Sequence, residues 1–152
     1  MSPAVFIDAN IPIFAAGRAH PHKAPCARVL LLAAEHPRAF VTDAEVLQEL
    51  VHRYVASGRW AVGREVLWSF AEVMRDRIEP VAATDILAAA RLADHHPRIS
   101  ARDLLHAAVM QRVGADRIIS ADADFDHLPN ITRLDPLRVD AWVDSIPLPA
   151  SR

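Results

Sequence analysis

The sequence is short of the residues that build several common protein classes. One cysteine, Cys26, cannot form a disulfide within the chain, so a reducing compartment, the cytoplasm, is expected. Four glycines among 152 residues exclude a collagen-like repeat. There is no Gly-rich loop to cradle a nucleotide phosphate, no Gly-x-Ser-x-Gly elbow, and no context for a cysteine nucleophile. The longest apolar run, Val29-Leu30-Leu31-Leu32-Ala33-Ala34, falls far below the roughly 18–20 residues of a bilayer span, so no membrane association is expected. The opening MSPAVFID lacks a basic region followed by a long apolar stretch, so no signal segment is expected. Neither charge sign dominates: 17 Lys+Arg against 19 Asp+Glu leave a net −2, which does not by itself point to nucleic acid. Lysine is almost missing. All the basic residues except Lys23 are arginine, whose planar guanidinium suits bidentate contact with phosphate.

What is present reads as a globular chain, 52% hydrophobic and 24% charged. Its length fits one domain, placed at residues 1–146, with a frayed tail at 147–152. Short apolar runs at Ala4–Ile7, Ala39–Val41, Ile78–Ala82, Arg117–Ser120 and Ile131–Leu134 read as strands. Helices are expected at His22–Glu35, from the Thr42 capping box to Gly58, at Trp60–Arg75, from Thr84 to His95, from Ser100 to Gly114, and over Val139–Ser145. Asn10 is positioned to cap a further short helix that Gly17 stops. Strands alternating with helices predict a three-layer α/β/α sandwich around a mainly parallel sheet. In such sheets ligands bind outside the carboxyl ends of the strands, so the acidic residues that follow strands carry the most information.

Asp8 ends the first strand, and Asn10 stands beside it. Glu45 and Glu49 lie one helical turn apart on one face. Glu45 fits the capping-box position three residues after Thr42, which leaves Glu49 as the candidate ligand and Glu45 as its substitute. Asp103 falls in the first turn after Ser100, where a carboxylate also complements the helix dipole. Of Asp122, Asp124 and Asp126, Asp122 is nearest the strand end; the run fails the calcium-loop pattern, because His127 and Arg133 occupy its Gly and Glu positions. Carboxylates gathered in one place raise each other's pKa unless a cation joins them, and either a hard divalent ion or arginine pairing meets that need. His20, His22 and Cys26 do not match zinc-ligand spacing. His95 and His96 read as a helix end. His106, one turn after Asp103, reads as a core or supporting residue.

The ordered set Phe6-Ile7-Asp8-Ala9-Asn10, Leu47-Gln48-Glu49-Leu50, Arg102-Asp103-Leu104-Leu105-His106-Ala107-Ala108 and Ile119-Ser120-Ala121-Asp122-Ala123-Asp124-Phe125 resembles a PIN domain over about residues 4 to 135. In its small form it is similar to VapC toxins. Residue by residue, the resemblance places the four family acids on Asp8, Glu49, Asp103 and Asp122. Ser120 matches the small hydroxyl residue before the fourth acid, and Asp124-Phe125 the pair after it; Ala9 departs from the Ser or Thr more usual there. The resemblance implies a Mg²⁺- or Mn²⁺-dependent endoribonuclease acting on RNA, a cognate antitoxin partner and a homodimer. On this reading Asp8 and Asp103 hold the primary ion, and Glu49 and Asp122 complete the pocket. Arg18, Lys23, Arg53 and Arg102 are the candidate RNA contacts. Two other readings stay open on residues alone: a metal-independent ribonuclease using histidines, and a non-catalytic acidic binding module with its carboxylates paired to arginine. Trp60, Val62, Val66, Trp68 and Phe70 make one helix apolar on more than one face, which predicts a partner or dimer surface formed with the Glu49 helix.

Overall fold

A run with no polar member suits a strand covered on both faces, and Val5–Ile7 forms such a strand, β1, wholly buried. The computed structural model describes residues 3–146. The chain continues through α1 (Asn10–Ala16), α2 (Lys23–Glu35), β2 (Phe40–Asp43), α3 (Ala44–Ala56), α4 (Trp60–Val73) and β3 (Ile78–Glu79). It then forms α5 (Ala83–His95), α6 (Ala101–Val113), β4 (Arg117–Ile119), β5 (Thr132–Leu134) and α7 (Val139–Trp142). The tail expected to fray, 147–152, lies outside the described residues.

The sheet order is β3-β2-β1-β4-β5, and every pairing is parallel. Phe6 of β1 sits opposite Val41 of β2 on one side and Ile118 of β4 on the other. The helices pack in consecutive pairs, α1 with α2, α3 with α4 and α5 with α6. The expected α/β/α sandwich is borne out. Because all strands run one way, their carboxyl ends share one edge. The strand order reverses between β1 and β4, and that reversal opens a crevice at this edge. Phe6, Ile7, Phe40, Ile118, Ile119 and Met110 are fully buried around the central strands. Helix α6 is the most enclosed, with every residue from Asp103 to Met110 buried.

Local signals explain most element ends. The Ser100 hydroxyl accepts from the Asp103 amide at 3.2 Å and opens α6, and Gly114 closes it in the left-handed region at φ 77°. Other expected caps are corrected. Thr42 belongs to β2, where its hydroxyl donates to the Ile7 carbonyl at 2.9 Å; Asp43 is the residue that caps α3, accepting from the Val46 amide. The Thr42–Glu45 capping box therefore does not form. Thr84 lies inside α5, whose start is held by the Asp85 carboxylate on the Ala82 amide. Asn10 makes no cap bond and reaches across to β4 instead. β3 ends at Glu79, three residues short of the expected limit, because Pro80 has no amide to donate to the ladder.

Gly63 marks the closest approach of two helices. A Cβ added there would lie 2.3 Å from Cβ of Tyr54 on α3. Overpacking of this kind costs about 1–3 kcal/mol, so Gly63→Ala is expected to lower stability by at least that amount in urea or thermal melts. An unchanged midpoint would mean that α3 and α4 separate freely.

Candidate active site

Asp8 is the first residue beyond β1, and only 4% of it is exposed. Its amide donates to the Ile119 carbonyl at 3.1 Å, locking the ends of β1 and β4 together. Its Oδ1 accepts from the Ala9 amide at 2.8 Å, and its Oδ2 from the Ser120 hydroxyl at 2.6 Å and the Asn10 amide group at 3.3 Å. Asn10 also donates to Ser120 Oγ and accepts from the Ala121 amide, so one side chain ties the two strand ends. Burial raises the Asp8 pKa above the ordinary carboxylate range, against the opposing pull of His106 and Ser120.

Behind Asp8 stands His106, fully buried on α6. Its Nδ1 donates to the Asp43 carboxylate at 2.8 Å. Its Nε2 has no hydrogen-bond partner among the described residues and lies 3.8 Å from Asp8 and 3.9 Å from Glu49. Burial alone would lower the His106 pKa. The Asp43 bond, with the Glu49 and Asp8 carboxylates facing the ring, outweighs it and lifts the imidazole to about 10. The ring thus acts as an internal cation among three acids. Glu49, half-buried on α3, also faces Arg102 at 3.6 Å, and Arg102 binds Glu45 at 3.2 Å.

Asp103, Asp122 and Asp124 form the other half of the site, each offering an oxygen within 4.8 Å of the others, as do the Asp8, Glu49 and His106 ligand atoms among themselves. Asp122 Oδ1 accepts from the Asp124 amide at 2.9 Å, which turns the chain after β4 and presents both carboxylates. Burial, then the adjacent Asp122 and the Asp8 charge, push the Asp103 carboxyl up to about 8. Asp126 leaves the group to pair with Arg133. The two halves flank a cleft of about 670 Å³ whose walls include Glu45, Glu49, Arg102, Asp103 and Asp122 on one side and Ile86, Ala89 and Ala93 of α5 on the other.

The four acids singled out in the sequence therefore arrive at one edge, in two adjoining groups. Asp43 was missed. Its signal was available, since it ends β2 as Asp8 ends β1. His20 and His22 both stack on Phe14, and Cys26 is buried, which pushes its thiol up to about 12.

The model of the PIN domain family matches residues 5–131. The chain belongs to the PIN domain family. Relatives include VapC ribonuclease Mb1869c of Mycobacterium bovis, 39% identical over 130 residues covering 86% of this chain and 98% of the relative. Ribonuclease VapC23 of Mycobacterium tuberculosis is 40% identical over 125 residues, 81% of this chain and 93% of its own. Among solved PIN folds, VapBC2 from Rickettsia felis bound to a promoter DNA fragment aligns with a TM-score of 0.68 at 19% identity, covering 86% of this chain and 97% of that one. FitAcB from Neisseria gonorrhoeae aligns with a TM-score of 0.64 at 15% identity, covering 87% and 97%. These two likenesses establish the PIN architecture.

The raised carboxyl gives a testable pH dependence. Asp103 titrates near 3.8 when unfolded and near 8 when folded, so its favourable contribution is complete below about pH 4 and is lost as pH rises through 8. Melting in chelator is expected to move to lower temperature between pH 5 and 8, and Asp103→Asn to flatten that slope. His106 adds a separate loss between about 6.5 and 10, which Asp103→Asn leaves in place. A wild-type melting temperature independent of pH over this range would show that the carboxylates do not repel as described.

Proposed function

We propose that this protein is a divalent-metal-dependent endoribonuclease and the toxin of a toxin–antitoxin pair. The observation that carries the reading is the gathering of Asp8, Glu49, Asp103 and Asp122 at the β1–β4 crevice, with Asp8 and Asp103 held above their ordinary pKa first by burial and then by neighbouring carboxylates, Glu49 beside Asp8 and Asp122 and Asp8 beside Asp103. Such a donor set, nearly all carboxylate oxygen and with no ion pair to Asp103 among the described residues, fits a hard dication such as Mg²⁺, with Mn²⁺ as a substitute. Asp8 and Asp103 would hold it, with Glu49 and Asp122 completing the pocket. When bound, such an ion supplies an acidified water and offsets phosphate charge in phosphodiester hydrolysis.

The chain's own residues do the positioning. Ser120, Asn10 and the Ala9 amide fix the orientation of Asp8. Arg102, shared between Glu45 and Glu49, stands at the cleft wall where an incoming phosphate would meet a guanidinium. The apolar side from α5 limits water on the opposite wall. A histidine-based mechanism has less support, because His106, the histidine in this group, has no exposed surface with which to reach a substrate.

The antitoxin reading draws on α4. Trp68 is 68% exposed and Val62 44%, while Phe70 on the same helix is buried. A groove that Val62 and Phe70 share is lined mostly by apolar residues of α1, α2 and α4, among them Pro12, Ala15, Leu30 and Val73, with Glu65 and Ser69 as its polar members. Helix α3 contributes no residue to the lining of this groove and packs against α4 through Tyr54 and Gly63. An apolar helix of the antitoxin would fill this groove, and the toxin itself would pair as a homodimer.

Cleavage of RNA by the purified chain in Mg²⁺, abolished by EDTA, is the expected result. Asp8→Asn and Glu49→Gln should each fall to background while melting as folded proteins. Glu45→Gln, whose polar partner among the described residues is Arg102, should keep most activity. Full cleavage by Asp8→Asn would overturn the assignment.

A further inference from the structure

The basic side chains fall into those held by a carboxylate or a carbonyl and those that stand apart on the surface, and the distinction between the two groups marks a second site. Arg102 is held by Glu45 and Glu49, Arg112 by Asp85 and Glu79, and Arg133 by Asp126. Lys23 donates to the Gly17 carbonyl. Arg18, Arg53 and Arg59 are different. All three are exposed, none has an acidic partner among the described residues, and all three line one cleft of about 680 Å³ between the ends of α1 and α3. No carboxylate contributes to its walls. In a chain of net charge −2, three uncompensated guanidinium groups around one hollow create a local field that favours an anion.

The hollow is not isolated. A shallower depression is lined by Glu49, His52, Arg53, Ser57 and Arg102. It shares Arg53 and Ser57 with the basic cleft, and Glu49 and Arg102 with the acidic one. The three run together along the exposed side of α3. From Glu49 to Ser57 the helix axis advances about 12 Å at 1.5 Å per residue, which carries a strand more than one nucleotide beyond the carboxylates.

The walls also offer flat surfaces. Phe14, His20 and His22 form a stack with ring centroids 5.1, 4.6 and 5.2 Å apart, and His20 is the exposed member that faces the cleft. The Arg59 guanidinium lies over the Tyr54 ring, 5.9 Å from its centroid, a cation–π contact that orders the arginine before any ligand arrives. Phosphate-binding cations beside an open ring face are the combination by which proteins hold unpaired nucleic acid.

We infer that single-stranded RNA runs from the acidic crevice along α3 into this basic cleft, with Arg18, Arg53 and Arg59 on its phosphates and His20 stacked on one base. The inference rests on the ribonuclease reading and adds the path of the substrate to it. It also revises the contacts expected from sequence: Arg18 and Arg53 belong to the path, Arg59 joins them, and Lys23, tied to the Gly17 carbonyl, does not line the cleft.

The test is binding of a fluorescein-labelled single-stranded oligoribonucleotide to the full chain carrying Asp8→Asn, so that the probe survives, read by anisotropy at pH 8 across a salt series. Arg18→Ala, Arg53→Ala and Arg59→Ala together should weaken binding and reduce the slope of log affinity against log salt by about 2, near 0.7 for each lost contact. His20→Ala should weaken binding about fivefold or more and leave the slope as it was. Arg38→Ala, an exposed arginine beyond the opposite end of β2, is the control and should change neither. In the wild-type background the triple variant should raise KM for RNA. A triple variant with the parent's affinity and slope would overturn the path while leaving the nuclease standing. A wild-type chain that cuts RNA in Mg²⁺ but whose probe binding is equally lost in Arg38→Ala would show diffuse attraction and also overturn it. Failure of the wild type to cut any RNA would instead remove the ribonuclease reading itself.

Discussion

Crowding carboxylates at a buried edge is unfavourable, and much of this molecule is arranged around that one cost. Asp8 is almost wholly out of water, and Asp103 lies against Asp122 with its carboxyl pushed up to about 8. Desolvation and like charge act in the same direction on both. The fold sustains the arrangement by surrounding Asp8 with donors from Ser120, Asn10 and Ala9, and by setting His106 behind it. The remaining repulsion is what makes the edge receptive to an external cation.

The parallel sheet is the device that brings these groups together. Strands pointing one way deliver the residue after each carboxyl end to the same edge, so Asp8, Asp43 and Ser120 meet although they are distant in the chain. Asp43 then serves two purposes, capping α3 with one oxygen and binding His106 with the other. That double use joins the start of the helix carrying Glu49 to the helix carrying Asp103. Stability and site geometry are therefore coupled here: a change at Asp43 alters both.

Charge is divided spatially in a way that its sum conceals. Arginines near α5 and α6 are clamped by acids, Arg112 by Asp85 with a lowered carboxyl pKa being the tightest, and they serve the fold. Arginines at the ends of α1 and α3 are left unclamped, facing open solvent. An acidic crevice that adjoins a basic cleft can retain a cation at one end and a polyanion at the other, which a uniformly charged surface could not do.

The sequence by itself determined the alternation of strands and helices, the parallel sheet, and the positions of Asp8 and Asp122 after strands and of Asp103 in a first helical turn, because burial on both faces and helix punctuation leave local patterns. It also separated Glu49 from Glu45 as the ligand candidate, although for a reason the structure replaces: no capping box holds Glu45, and Glu49 is the one that faces Asp8 and His106. Only the tertiary structure decided that Asp43 and His106 pair behind the site, that Asn10 bridges two strands, and that Arg18, Arg53 and Arg59 share a cleft. Each of these depends on contacts between residues far apart in the chain, and a side chain that could cap a turn locally went instead to the partner that folding placed nearest.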